Sequence, residues 1–215
     1  AIFFAVYTAH VKDGYVDFYR RGEDDDHPLT EAGCRWALAG ATFCFVAVTA
    51  SLGVVAGPVT ALLTGPMWVL GYLHAPQSDT NPVTTTLGYP TGIALAIVGG
   101  HHAQSGAVAV EPLAFGLVFL VALAGVKIID DSTDYAYDRS IAKRTVAVAL
   151  GVRRARRLAY ALLYAGFTLV LVFAVDGVFP PAAPLAAAAF GLVAVVAAGA
   201  GPSVATMLLV RGAYV

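Results

Sequence analysis

The sequence predicts an all-α fold, a polytopic bundle of transmembrane helices, on two observations. Of its 215 residues 59% are apolar and only 13% are charged, and the mean hydropathy is +0.75. Soluble domains carry about 25% charged residues, so this composition is typical of an integral membrane protein. The apolar residues also form long runs separated by short polar stretches, as membrane helices and their loops do.

The apolar runs define the elements in chain order. Thr30 and Glu31 are typical of a helix start, and Gly57-Pro58 and Gly201-Pro202 interrupt helices. The predicted spans are residues 1–10 (the end of a helix), 30–56, 58–74, 86–103, 112–145 (a span with a polar arm), 158–175 and 185–200, followed by a short apolar piece.

The basic residues predict the orientation of these spans. The loops at 51–58, 104–111 and 176–184 contain no Lys or Arg, so all thirteen basic residues belong to the other side. Such asymmetry marks the cytoplasmic face, which predicts a multi-pass protein of the cell membrane. Four spans separate a first acidic segment, residues 11–29, from a second, residues 130–145. Because four is even, both segments are expected to open towards the cytoplasm and to face one pocket.

The second acidic segment follows the apolar run 112–126, and no Gly or Pro occurs in it after Gly125. This pattern predicts one continuous helix that leaves the membrane and carries the aspartates on a cytoplasmic arm. Carboxylates near lipid are costly without a partner, so they indicate a functional site. In a continuous helix, three aspartates at intervals of four residues lie along one face: Asp130, Asp134 and Asp138.

Carboxylates at a membrane surface favour a divalent cation that joins them to a phosphate, and Mg²⁺ uses one or two carboxylates plus phosphate oxygens. A diphosphate at the surface and an apolar tail inside the bundle suit a polyprenyl diphosphate. The predicted magnesium ligands are Asp13, Asp17, Asp24, Asp130, Asp131, Asp134 and Asp138. Predicted diphosphate contacts are Lys12, Arg20, Arg21, Arg139 and Tyr135, whose ring also suits an allylic cation. The residues expected to carry catalysis are Asp131, Asp134, Asp138, Lys143 and Arg144.

The run from Asp131 to Thr145 has the pattern D-x-x-D-x-x-x-D-R-x-x-x-K-R-T. It resembles the second aspartate-rich motif of the UbiA superfamily of intramembrane prenyltransferases. Two further stretches, GGHHAQSG at 99–106 and RRGED at 20–24, are similar to the menaquinone branch, the 1,4-dihydroxy-2-naphthoate polyprenyltransferases. The resemblance extends over nearly the whole chain.

This resemblance implies a bundle of nine helices, a lateral opening to lipid, dependence on Mg²⁺, and transfer of a prenyl group to an aromatic quinone precursor by ionisation and condensation. About seven of the nine helices are expected in a single domain over residues 1–215, with the first helix and the end of the last lying outside it. The first motif departs from the family pattern. Lys12 stands where Asn is expected, and Asp13, Asp17 and Asp24 are spaced +4 and +7. A second register places Asp17 first and Arg20 at a metal-binding position.

Other functions stay open on the sequence. A cation transporter or channel would place charges near the membrane midplane and show paired repeats. A CDP-alcohol phosphotransferase would carry a D-G and A-R pattern that is missing after Asp134. A catalytically silent homologue and transfer to a lipid acceptor are further alternatives, and no nucleic-acid partner is expected.

Several charged residues have simpler interpretations. Lys127 is expected to pair with Asp131, one helical turn away. Adjacent His101 and His102 point in different directions on a helix, which favours polar packing over metal binding. A basic cluster at 153–157 predicts an anchor near anionic lipid.

Overall fold

The computed structural model describes residues 1–213, and every regular element in that range is a helix, which confirms the all-α prediction. The α-helices are α1 (Ile2–Val16), α2 (Glu31–Val55), α3 (Pro58–Tyr72), α4 (Pro82–Ser105), α5 (Val110–Asp131), α6 (Tyr135–Ser140), α7 (Val146–Leu150), α8 (Val152–Val175), α9 (Ala183–Gly199) and α10 (Pro202–Ala213). Thr30 caps α2, since its hydroxyl accepts a hydrogen bond from the Gly33 N–H at 3.1 Å.

Among residues 1–213, three helices are long and apolar enough to cross a membrane, namely α2, α5 and α8. Half of the apolar window of α5 is buried inside the protein, compared with 11% for α2 and 17% for α8. Large apolar side chains on α2 and α8 are exposed, for example Trp36 at 79% and Val175 at 87%. Such surface is typical of helices that contact lipid, so the chain has the features of a multi-pass membrane protein. The predicted spans at 58–74 and 185–200 form α3 and α9, which have only 15 and 17 residues.

The chain forms two compact units, each with its own packed helices. Unit one consists of Ala1–Thr80 with Leu95–Val108, and unit two of Asn81–Ala94 with Ala109–Val215. In unit one, α1, α2 and α3 pack on one another around Ala5, Phe45 and Met67. In unit two, α5 packs on α8 and α10, and α9 packs on α8 and α10. The buried core of unit two includes Leu123, Ile129, Leu163 and Leu209.

Close packing of α5 on α8 depends on Gly125. A Cβ added there would lie 2.7 Å from the backbone oxygen of Ala159 and 3.1 Å from Leu163 Cγ. Because a backbone oxygen has little room to move, we expect Gly125→Ala to lower the free energy of unfolding by about 2 kcal/mol. Gly100→Ala is the matched control. It changes a glycine of α4 that has open space around it, and is expected to be neutral or slightly stabilising. Denaturant titration in micelles measures both, and equal stability of the two variants would contradict this packing.

The prediction of one continuous helix through residues 112–145 is wrong. Helix α5 ends at Asp131, a turn follows at 132–134, and the segment continues as the short helices α6 and α7. The Ser132 hydroxyl donates to the Ile128 carbonyl at 2.7 Å, and the Thr133 hydroxyl donates to the Asp130 carbonyl at 2.7 Å. Side chains that bond to nearby backbone in this way compete with helix propagation. The predicted row of Asp130, Asp134 and Asp138 on one helix face therefore does not exist.

Residues 11–29, the first acidic segment, are partly helical, although the sequence predicted that the helix ends at residue 10. Helix α1 continues past residue 10 to Val16 and is extended by a π-helical turn, Asp17–Arg21. Gly22 ends it with φ of 64°, a left-handed conformation that favours glycine. The backbone N–H of Glu23 then donates to the Asp17 carbonyl at 2.9 Å. Asp13 and Asp17 are consequently on helical backbone, whereas Asp24 is in the exposed loop that follows.

Candidate active site

The four aspartates of the second acidic segment fall into two groups. Asp131, the last residue of α5, is 3% exposed, and Asp138 in α6 is 2% exposed. Asp130 is only partly buried, and Asp134 is exposed at the start of α6. The break after α5 therefore turns two of the predicted ligands inwards and leaves two nearer to solvent.

Lys127 holds the first of the buried carboxylates. Its ammonium donates to Asp131 Oδ1 at 2.6 Å and to Asp130 Oδ2 at 3.3 Å. The Asp131 pair lies one turn apart on α5, which confirms the pairing expected from the sequence. A carboxylate fixed by a charge-assisted hydrogen bond on a packed helix has a defined position, with its second oxygen left for another partner.

Lys143 approaches the second buried carboxylate. The chain reverses after α6 at Ala142, whose φ of 58° is left-handed, and the Lys143 N–H donates to the Asp138 carbonyl at 2.9 Å. This reversal places the Lys143 ammonium 3.7 Å from Asp138 Oδ1. Burial, together with the negative charges of Asp131 and Asp134, raises the pKa of Asp138 to about 6 against the lowering effect of Lys143. The surroundings of Asp138 therefore contain less positive charge than its ionised form requires.

Two buried oxygens of this cluster have no hydrogen-bond partner in the described chain: Asp131 Oδ2 and Asp138 Oδ2. A buried carboxylate oxygen without a partner is costly, and a bound cation is one group that would satisfy both oxygens. Residues 1–213 contain no group of three or more His, Cys, Asp or Glu side chains arranged to hold a metal on their own. Mg²⁺ is usually held by one or two carboxylates and completed by phosphate oxygens and water, so the pair Asp131 and Asp138 fits it.

The other predicted residues of the second segment lie on α6 and just before α7. Tyr135 is partly buried and packs against the core of unit two. The side chains of Arg139 and Arg144 are exposed, and the Arg144 carbonyl accepts a hydrogen bond from the Thr85 hydroxyl at 3.3 Å. Thr145 is fully buried and caps α7 by accepting from the Val148 N–H at 3.2 Å. Neither guanidinium forms a salt bridge within residues 1–213.

The first acidic segment has a different organisation, since its cations already contact protein groups. Arg21 donates to Asp17 Oδ1 at 3.0 Å and pairs with Asp79, a buried residue from the loop before α4. Burial and the charges of Asp13 and Glu23 raise the pKa of Asp17 to about 6, although Arg21 opposes this. The Arg21 guanidinium therefore lies beside Asp17, where the sequence predicts a metal ion.

Lys12 is also engaged within unit one. Its ammonium donates to the Tyr72 carbonyl at 2.5 Å and to Gln77 Oε1 at 3.0 Å, and it lies 3.8 Å from the centre of the Tyr72 ring. The remaining predicted contact of this segment, Arg20, is exposed near the ring of Tyr15. Lys12 would have to exchange these partners to bind a diphosphate.

A model of the UbiA prenyltransferase family matches residues 31–203, which is most of the chain. The chain belongs to the UbiA prenyltransferase family. The match includes the whole second acidic segment and begins just after the first acidic segment. No curated protein and no solved structure gives a significant match. UbiA membership identifies an intramembrane prenyltransferase in general terms, without fixing its acceptor.

Within this UbiA chain, two features lay beyond the sequence prediction. Asp79 is the partner of Arg21, yet it is a single acidic residue in the loop 75–85 with no motif around it. Thr85 reaches Arg144 across 59 positions of sequence, which no local pattern indicates. His102 behaves as expected, because its Nδ1 lies 2.8 Å from the Thr60 hydroxyl in a buried packing contact.

Proposed function

We propose that this UbiA protein transfers a polyprenyl group from a polyprenyl diphosphate to an aromatic quinone precursor, and that Mg²⁺ is required. The observation that carries the proposal is the pair of buried, unpartnered oxygens on Asp131 and Asp138. A naphthoate acceptor is favoured by the stretches at 99–106 and 20–24, which are similar to the menaquinone branch.

Asp131 and Asp138 would hold the Mg²⁺, which neutralises charge on the diphosphate as it leaves. Lys127 fixes the orientation of Asp131 through the 2.6 Å hydrogen bond. Lys143 and the exposed Arg144 supply further positive charge for phosphate oxygens, the arginine through its bidentate geometry. These groups stabilise charge that increases as the reaction proceeds, which is how such sites accelerate a reaction.

In the proposed reaction, the bond between prenyl C1 and the diphosphate oxygen breaks, and the diphosphate keeps the electron pair. The allylic carbon then bonds to a ring carbon of the acceptor. The hydrogen on that carbon leaves as a proton, which the departing diphosphate or water accepts. We propose that Tyr135, a partly buried residue of α6, faces this positive charge with its ring. Asp13, Asp17 and Asp24 stay predictions as metal ligands, and the cytoplasmic orientation rests on the distribution of basic residues in the sequence.

Membranes containing the chain test this function directly. With labelled geranylgeranyl diphosphate and 1,4-dihydroxy-2-naphthoate, we expect label in the prenylated naphthoate, and a fall of at least about a hundredfold when EDTA removes Mg²⁺. Membranes from the same host without the protein are the control. Transfer to 4-hydroxybenzoate or to a lipid alcohol instead would contradict the proposal of a naphthoate acceptor. Cation flux in vesicles, with no prenyl transfer to any acceptor, would indicate a transporter. The absence of both activities would indicate a catalytically silent homologue.

A further inference from the structure

The side chain of Arg21 lies between two carboxylates of unit one. Its Nη1 donates to Asp17 Oδ1 at 3.0 Å, and its Nη2 pairs with the Asp79 carboxylate. The three side chains are only 12–20% exposed. A guanidinium fork can bond two carboxylates at once, one through each of its end nitrogens. Arg21 therefore has the position between Asp17 and Asp79 that a bridging cation would have.

Contacts elsewhere in unit one fix the segment that carries Asp79. Gly71 lets α3 approach α1 closely, because a Cβ added there would lie 2.5 Å from the Ala5 backbone oxygen. Beyond the end of α3, Gln77 Oε1 accepts a hydrogen bond from the ammonium of Lys12 on α1 at 3.0 Å. The salt bridge to Asp79 is thus one of several contacts that join the α1 region to α3 and the segment after it.

The two acidic segments differ in the oxygens that they leave for a metal. In the second segment, Asp131 and Asp138 each keep a buried oxygen without a partner, whereas no buried oxygen of Asp17 or Asp79 lacks one in the described chain. Asp24, another predicted ligand of the first segment, is exposed in a loop. A metal at Asp17 would also have to displace a mostly buried guanidinium and leave its charge unpaired, which is unfavourable. The first segment therefore does not fit a metal ion.

We propose that Arg21 takes the place of a metal ion in the first acidic segment, so that the chain binds divalent cations only at Asp131 and Asp138. Asp79 is then a positioning residue, since it holds the guanidinium beside Asp17. The metal at Asp131 and Asp138 rests on the proposed function. The replacement of a metal by Arg21 does not, because it depends only on contacts inside unit one. The alternative is the metal site that the sequence predicts for this segment.

Counting of bound Mn²⁺, which stands in for Mg²⁺, tests this inference. Electron paramagnetic resonance measures the count on the full chain in nanodiscs, with one equivalent of geranylgeranyl thiolodiphosphate, an analogue that ionises slowly. We expect one Mn²⁺ per chain. Asp17→Asn should keep that ion, whereas Asp138→Asn should lose it. Two ions per chain, with one lost in Asp17→Asn, would overturn the inference.

Arg21→Gln gives the opposite test, because it frees two carboxylates. The variant should bind one Mn²⁺ more than the wild type, since carboxylate oxygens are ligands that hard divalent cations prefer. The matched control is Arg20→Gln, which makes the same change of charge at an exposed neighbour that forms no salt bridge within residues 1–213. It should leave the count unchanged. Circular dichroism checks that each variant is folded.

The remaining outcomes separate this inference from the proposed function. A folded Arg21→Gln variant without an additional Mn²⁺ would overturn the replacement, and so would an equal gain in Arg20→Gln, which would indicate general attraction of cations to acidic residues. A wild-type chain that binds no Mn²⁺ would contradict the proposed function at Asp131 and Asp138, yet it would agree with the absence of a metal at Asp17. The Asp17→Asn count decides the inference even if Arg21→Gln does not fold.

Discussion

Asp138→Asn is expected to lower prenyl transfer by at least about a hundredfold while the helices stay folded. Asparagine has the shape of aspartate but no charge, so the unpartnered Oδ2 that fits a metal is replaced by a poor ligand. The Lys143 ammonium lies 3.7 Å from Asp138 Oδ1, beyond hydrogen-bond distance, so the substitution removes no hydrogen bond between the two side chains. The rate of labelled prenyl transfer in nanodiscs at saturating Mg²⁺ measures the effect.

Asp176→Asn provides the control for this variant. Asp176 is exposed directly after α8 and carries no ion pair in the described chain, so the same substitution there should leave the rate unchanged. Binding of Mn²⁺ in the presence of diphosphate, followed by electron paramagnetic resonance, separates metal binding from chemistry. Retention of more than half of the activity by Asp138→Asn would remove this residue from the proposed site.

Lys127→Met is expected to have the largest effect on stability, a loss of about 3–5 kcal/mol, because it leaves the Asp131 charge buried without its partner. The Asp131 side chain is 2% exposed and its Oδ1 is bonded to Lys127 at 2.6 Å. Denaturant titration in micelles gives the free energy of unfolding. Arg35→Met, at an exposed position near the start of α2, should change it by less than about 0.5 kcal/mol.

The double variant Lys127→Met with Asp131→Asn distinguishes a structural role from a chemical one. Removing both charges should restore most of the lost stability, because no unpaired charge is left in the interior. Prenyl transfer should nevertheless stay absent, since Asp131 is a proposed metal ligand. If the double variant were as unstable as Lys127→Met alone, the ion pair would not be the cause of the destabilisation.

The membrane helices could be predicted from the sequence because a helix in lipid requires a long apolar run, and the loops between such helices are rich in turn residues. Thr30 and Gly57 mark helix boundaries that the structure reproduces within one or two residues. The end of α5 was not readable, because Ser132 and Thr133 are compatible with a helix until their hydroxyls bond to the backbone of the preceding turn. Local hydrogen bonding of this kind does not change the hydropathy of a segment, so the hydropathy pattern does not reveal it.

The candidate site was predicted in composition but not in arrangement. The sequence predicted Asp130, Asp131, Asp134 and Asp138 as ligands. Only burial separates Asp131 and Asp138 from the other two. Burial depends on how α6 packs after the turn, which involves contacts distant in sequence. The pairing of Arg21 with Asp79 is likewise a contact over 58 positions, and no periodicity reveals such a contact.

Because of the turn at residues 132–134, α5 and α6 have separate helix axes. In one continuous helix, each inserted or deleted residue would rotate all the following residues by about 100° around the helix axis. With the break, a small rotation of the membrane helix moves Asp131 and its lysine together, while Asp138 follows the separate axis of α6. A change in the rotation of α5 therefore need not reorient the Asp138 carboxylate.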